Sequence, residues 1–137
     1  MIGMVIIAHG RLASESKQAI EHVMGELPLL AAIDVINSDA SDHLYDEMST
    51  VIKQCDTGSG VLVFVDMFGG TPCNIALGSL GDHACEVISG FSLPSLIKAA
   101  TLRKSSRNLA EIAAQSIQAG HQYMRQLSED TKKGLRL

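Results

Sequence analysis

Val61-Leu62-Val63-Phe64-Val65-Asp66-Met67-Phe68-Gly69-Gly70-Thr71-Pro72 changes character partway along. Its first five residues are uninterrupted apolar side chains, mostly β-branched, as in a strand buried on both faces. The remaining residues bring a carboxylate, two glycines and then Thr71-Pro72. That last pair suits a helix start, with Thr71 as N-cap and Pro72 at the first helical position. A buried strand that turns tightly into a helix is part of a βαβ unit, and the rest of the chain repeats the rhythm.

Upstream, residues 2–8 form another continuous apolar run, closed by His9-Gly10. Leu12, Ala19, Ile20, Val23, Met24 and Leu27 then recur at helical spacing until Pro28. Residues 31–36 read as a second strand. Asp39 or Ser41 can cap a second helix that carries Leu44, Met48, Val51, Ile52 and Cys55 on one face. Downstream of the opening stretch, the third helix is expected to end near Gly81, and residues 84–89 form a fourth strand. A loop over 90–94 leads into a helix to about Leu102. Asn108 with Glu111 resembles a capping box for a last helix, interrupted at Gly120. The pattern predicts a single-domain α/β fold over residues 1–137, with a parallel sheet, helices on both faces, and residues 128–137 as a frayed tail.

Composition narrows the function classes. The 137 residues are 46 % hydrophobic but only 4 % aromatic, with no Trp, so the core must be aliphatic. A net charge of −4 argues against a nucleic-acid platform, which needs a basic field. No basic n-region with a cleavable apolar stretch opens the chain, and no apolar run approaches the roughly 20 residues that span a bilayer, so no membrane insertion is expected. Cys55, Cys73 and Cys85 are scattered, without CxxC or zinc spacing; they read as reduced thiols of a cytoplasmic protein, with no metal site. Walker A, GxGxxG and GxSxG patterns are missing, so neither a nucleotide cofactor nor a serine nucleophile is expected.

Ligands of parallel α/β sheets collect beyond the carboxyl ends of the strands. Two groups of residues fall there. His9 ends the first strand at the mouth of a helix, with Gly10 clearing space beside it. An imidazole can use one nitrogen as nucleophile while an acceptor holds the other. Alone, a strand-ending histidine is more often a passive side chain than a reactive one. Asp66, ending the strand expected to lie beside the first, could supply that acceptor and fix the tautomer. Gly69, Gly70 and Thr71 follow, a turn whose amides and hydroxyl could meet an oxyanion.

The strand ending in His9-Gly10, the segment VDMFGGTP at 65–72 with Asn74, then Ser89-Gly90 and Leu93-Pro94 before a helix, together resemble the IIA domain of the mannose-type sugar phosphotransferase system. The resemblance covers about residues 2–127. It implies that His9 carries a phosphoryl group on Nε2, taken from the phosphocarrier HPr and passed to a IIB component, with Asp66 holding the other nitrogen. Gly10, Gly69, Gly70 and Thr71 would surround the phosphate, and Met67 and Phe68 could dock HPr. It also implies a homodimer and a sheet of order 2-1-3-4 with an antiparallel edge strand swapped from the partner, here around residues 121–127. Association with membrane IIC and IID components would follow without insertion of this chain. A regulatory IIA protein that signals by its phosphorylation state, and the phosphoryl-donor subunit of dihydroxyacetone kinase, share the fold; the latter fits less well because such relatives lack the GGTP turn. Ser92 and Ser95 stand where many family members carry Asn and Met.

Overall fold

The two most apolar segments of the chain, β1 (Gly3–His9) and β3 (Val61–Val65), lie side by side in the middle of a parallel sheet. Outside them run β2 (Leu30–Val35) next to β1 and β4 (Cys85–Ser89) next to β3, which gives the order β2-β1-β3-β4. The computed structural model describes residues 1–37 and 41–134. Side chains alternate across the central strands and feed two cores. Met4, Ile6 and Ala8 pack with α1 (Leu12–Met24), α4 (Leu93–Leu102) and α5 (Leu109–Tyr123), whereas Val5 and Ile7 pack with α2 (Ser41–Cys55) and α3 (Gly70–Gly78). The result is the expected α/β domain, with order 2-1-3-4 and helices on both faces.

This order places a topological switch between β1 and β3: the chain leaves β1 for β2 on one side and returns to β3 on the other. The register sets Ile7 opposite Val65, so His9, the last residue of β1, and Asp66, the first residue after β3, emerge at the same carboxyl edge.

Several local expectations are corrected. Thr71 is not the N-cap of α3. Gly69 and Gly70 both adopt φ of 82° and make the turn themselves, so Gly69 precedes the helix and Thr71 is already inside it. The helix stops at Gly78 rather than near Gly81, because the Ser79 hydroxyl donates back to the Ile75 carbonyl at 2.6 Å. On α1, Leu12 and Val23 face solvent, and the buried positions are Ala13 and Ile20. Asp39 lies outside the described residues, and Ser41 is the first residue of α2.

The C-terminal region differs most. Gly120 does not interrupt α5, which continues to Tyr123. A Cβ at position 120 would make ordinary contacts with Ser92 Oγ at 3.6 Å and Ser95 Cβ at 3.7 Å, so this position faces the start of α4 inside a continuous helix. The antiparallel strand expected around 121–127 is not formed: residues 121–123 close α5 and Leu127 opens α6 (Leu127–Lys132). An added edge strand needs another backbone to pair with, and within one chain residues 124–126 form only a short non-helical link between α5 and α6. The tail is therefore helical through Lys132, and Arg125 Nε pairs with Asp130 Oδ2 at 2.7 Å. Ser92 and Ser95 form a reciprocal capping box at α4, each side-chain oxygen accepting the other's backbone N–H.

Candidate active site at the carboxyl edge of the sheet

His9 ends β1 with its side chain 48 % exposed, while the Asp66 side chain is only 11 % exposed. Asp66 Oδ2 lies 2.7 Å from His9 Nδ1 and also accepts the His9 backbone N–H at 3.1 Å. Its Oδ1 accepts the Met67 N–H at 3.0 Å. Burial works to raise the Asp66 carboxyl, but the hydrogen bonds from the His9 ring and backbone outweigh it and hold the group below its usual range. An ionised carboxylate only accepts, so Nδ1 must carry the proton. The Nε2 lone pair is then free on the exposed side of the ring.

What faces Nε2 is the glycine turn. A Cβ built on Gly70 would stand 3.4 Å from His9 Cε1 and 3.5 Å from Nε2, so the bare Gly70 backbone lies against that edge of the imidazole. No acceptor among the described residues takes the amides of Gly69, Gly70 or Thr71. Pro72, in the first turn, has no amide to satisfy. The free amides and the positive end of α3 lie on the Nε2 side of the ring, an arrangement suited to an anion.

Gly10 was expected to surround the phosphate as well, and there the structure differs. The Gly10 amide donates to the Val35 carbonyl at 3.0 Å. The Ser14 amide and hydroxyl donate to the two Asp34 oxygens at 2.9 and 2.6 Å. Asp34, a residue the sequence reading passed over, thereby caps α1 from the neighbouring strand. Its signal was a lone carboxylate in the apolar run AAIDVI. Gly10 contributes a left-handed turn (φ 59°) that carries the chain from His9 into α1, not a donor. Of the expected residues, the structure brings His9, Asp66 and Gly70 together, with Gly69 and Thr71 flanking Gly70 in the same turn. Met67 and Phe68 form an exposed apolar pair next to Asp66, with Phe68 86 % exposed. Cys73 is buried one residue further into the helix than Pro72, a packed side chain.

A second imidazole–carboxylate pair was not foreseen. His83 Nδ1 lies 2.7 Å from Asp56 Oδ2, at the opposite, amino edge of the sheet. Asp56 Oδ1 also accepts the amides of Gly58 and Gly60, so this pair ties down the turns that enter β3 and β4.

Fold and edge together define a class: a small doubly wound α/β domain that presents one carboxylate-held histidine at its topological switch. The chain belongs to the family described as PTS system fructose IIA component, or EIIA-man, whose model matches residues 3–117. It is similar to the mannose-specific EIIAB component of Escherichia coli K12, with 28 % identity over 92 % of this chain and 39 % of that protein. The chain thus spans about two fifths of the length of that relative. The sorbose-specific EIIA component of Lacticaseibacillus casei is 26 % identical over 92 % of this chain and 91 % of its own length. Among solved structures, the mannose/sorbose specific IIA subunit of Enterococcus faecalis superposes with a TM-score of 0.80 at 27 % identity, covering 91 % of this chain and 93 % of that one. A phosphotransferase-system EIIA from Streptococcus agalactiae shares the fold, with a TM-score of 0.85 at 23 % identity over 94 % and 99 % of the two chains.

Proposed function

We propose that His9 accepts a phosphoryl group from phospho-HPr on Nε2 and passes it to a IIB component, as one relay in sugar uptake and phosphorylation. The observation that carries this reading is the opposed arrangement around one ring: Asp66 at 2.7 Å on Nδ1, and the Gly70 turn against Nε2. In the transfer, the Nε2 lone pair forms a bond to phosphorus as the P–N bond to the donor histidine breaks, and the donor nitrogen keeps the electron pair. The His9 ring becomes positive while Nδ1 keeps its proton, and the Asp66 carboxylate balances that charge. The amides of Gly69, Gly70 and Thr71, with the Thr71 hydroxyl, receive the phosphoryl oxygens. No cofactor or metal enters this scheme.

Met67 and Phe68 supply the apolar part of a docking surface for HPr and IIB at the edge where transfer occurs. A homodimer fits the free outer edge of β4, beside which Ile88, Phe91, Ile117, Tyr123 and Met124 line a cavity of about 360 Å³. No helix among the described residues is long and apolar enough to cross a membrane. The relay reading places the protein in the cytoplasm, where it meets any IIC and IID components through IIB.

Incubation with enzyme I, HPr and labelled phosphoenolpyruvate tests the reading. Acid-labile, base-stable label is expected on the wild-type chain and none on His9→Ala. Label that persists undiminished in His9→Ala overturns it.

A further inference from the structure

Arg11 occupies the N-cap position of α1, two residues beyond His9, and makes no side-chain capping hydrogen bond. Physical chemistry disfavours this choice. The amino end of a helix carries partial positive charge, so a cation there is destabilising, and N-cap positions favour Ser, Thr, Asp or Asn. No direct partner offsets the cost: the Arg11 side chain is exposed and has no ion pair or hydrogen bond among the described residues. Of the acids near the first turn of α1, Asp34 has both oxygens engaged by Ser14, and Glu15, within that turn, makes no ion pair with Arg11. A residue that breaks a local rule without structural compensation is the kind that function retains.

The charge balance of the neighbouring site shows what it could serve. A phosphoryl group brings a charge of about −1.5 to −2 near neutral pH. The Asp66 carboxylate is committed to the other side of the ring, where it matches the positive imidazole. The phosphoryl oxygens are then met by amides and one hydroxyl, all of them neutral donors. Arg11 follows Gly10, whose left-handed turn folds the chain back at the same carboxyl edge. We propose that Arg11 binds the phosphoryl group carried by His9, its guanidinium supplying the positive charge that the glycine turn lacks. This rests on the relay reading above. It predicts that phosphorylation converts an unfavourable N-cap into half of an ion pair.

The test separates the phosphoryl contact from partner docking by using phosphoramidate as a small donor. Its N–P bond breaks, ammonia leaves with the electron pair, and Nε2 takes the phosphoryl group, with no donor protein involved. Wild type, Arg11→Gln and Arg11→Lys are phosphorylated in this way and the phosphorus resonance is followed against pH. A guanidinium beside the phosphoryl group favours its dianion, so the last phosphoryl ionisation in Arg11→Gln should shift up by ~1 pH unit. The rate of phosphorylation should fall roughly tenfold, and Arg11→Lys should recover part of both. Superimposable phosphorus titrations in wild type and Arg11→Gln overturn the proposal. So does a defect seen only with phospho-HPr as donor, which would make Arg11 a docking residue, or a lowered melting temperature with an unchanged titration, which would make it structural. If wild type itself takes no phosphate on His9 from either donor, the relay reading fails, an outcome distinct from the others.

Discussion

His9 and Asp66 are held by more than one contact each, and this decides how the pair responds to substitution. One Asp66 oxygen accepts both the ring and the backbone of His9, while the other is fixed by the Met67 amide. Asp66→Asn keeps an acceptor but loses the charge that stabilises a positive ring, so phosphoryl transfer should slow by about 10²-fold in rapid-quench kinetics. Gly70→Ala should be as damaging for a different reason: the backbone has φ of 82°, and the new methyl would sit 3.5 Å from Nε2. The pH dependence also follows. The folded state lowers the Asp66 carboxyl from 3.8, so it binds that proton more weakly than the unfolded chain does. The contribution is complete above about pH 3.8 and disappears as pH falls through the lowered value. Urea unfolding of wild type and Asp66→Asn should therefore converge in stability only in that acid range. At this scale the imidazole–carboxylate pair and the glycine turn were legible, because each residue type has a chemical reason to stand where it does. The engagement of the Gly10 amide and the Asp34 cap were not, since both depend on which neighbour β2 brings alongside.

Among elements, the buried cation Arg103 has no obvious place in a reading of sequence. It follows α4, is 3 % exposed, and donates from Nη1 to the carbonyls of Ile2 and Leu29 and from Nη2 to that of Pro28. Leu29 holds a left-handed conformation (φ 51°), and its carbonyl also accepts the Met4 amide. Arg103 thus pins the strained turn between α1 and β2 to the start of β1. Arg103→Met would leave the buried Ile2 carbonyl without its partner and remove a donor from those of Leu29 and Pro28, and should cost about 1–3 kcal/mol in chemical denaturation, with Arg103→Lys intermediate. The strands and the α2 stripe were readable because continuous apolar runs and helical spacing report burial directly. Helix ends were less so. Thr71-Pro72 looked like a helix start, yet two positive-φ glycines made the turn first, and Gly120 looked like a stop but lies inside α5, facing the start of α4.

For the whole molecule, the alternation of elements was enough to give a parallel sheet with helices on both faces, while the strand order came from family resemblance. The segment after α5 was not legible, because its partner in a swapped arrangement would be another chain. The proposed dimer makes β4 and the exposed Tyr123 and Met124 one continuous surface. Sedimentation should give a dimer for wild type, and Met124→Asp should shift it towards monomer; a monomeric wild type would remove the dimer from the scheme. The claim on which the relay depends is narrower: Asp66 reserves Nδ1 for a proton, so phosphate goes to Nε2. Nitrogen-15 spectra of the phosphorylated, histidine-labelled protein test it most directly. Phosphorus coupling to Nε2 of His9, with Nδ1 still protonated, is the expected result; phosphorus coupled to Nδ1, or to no nitrogen of His9, would contradict it.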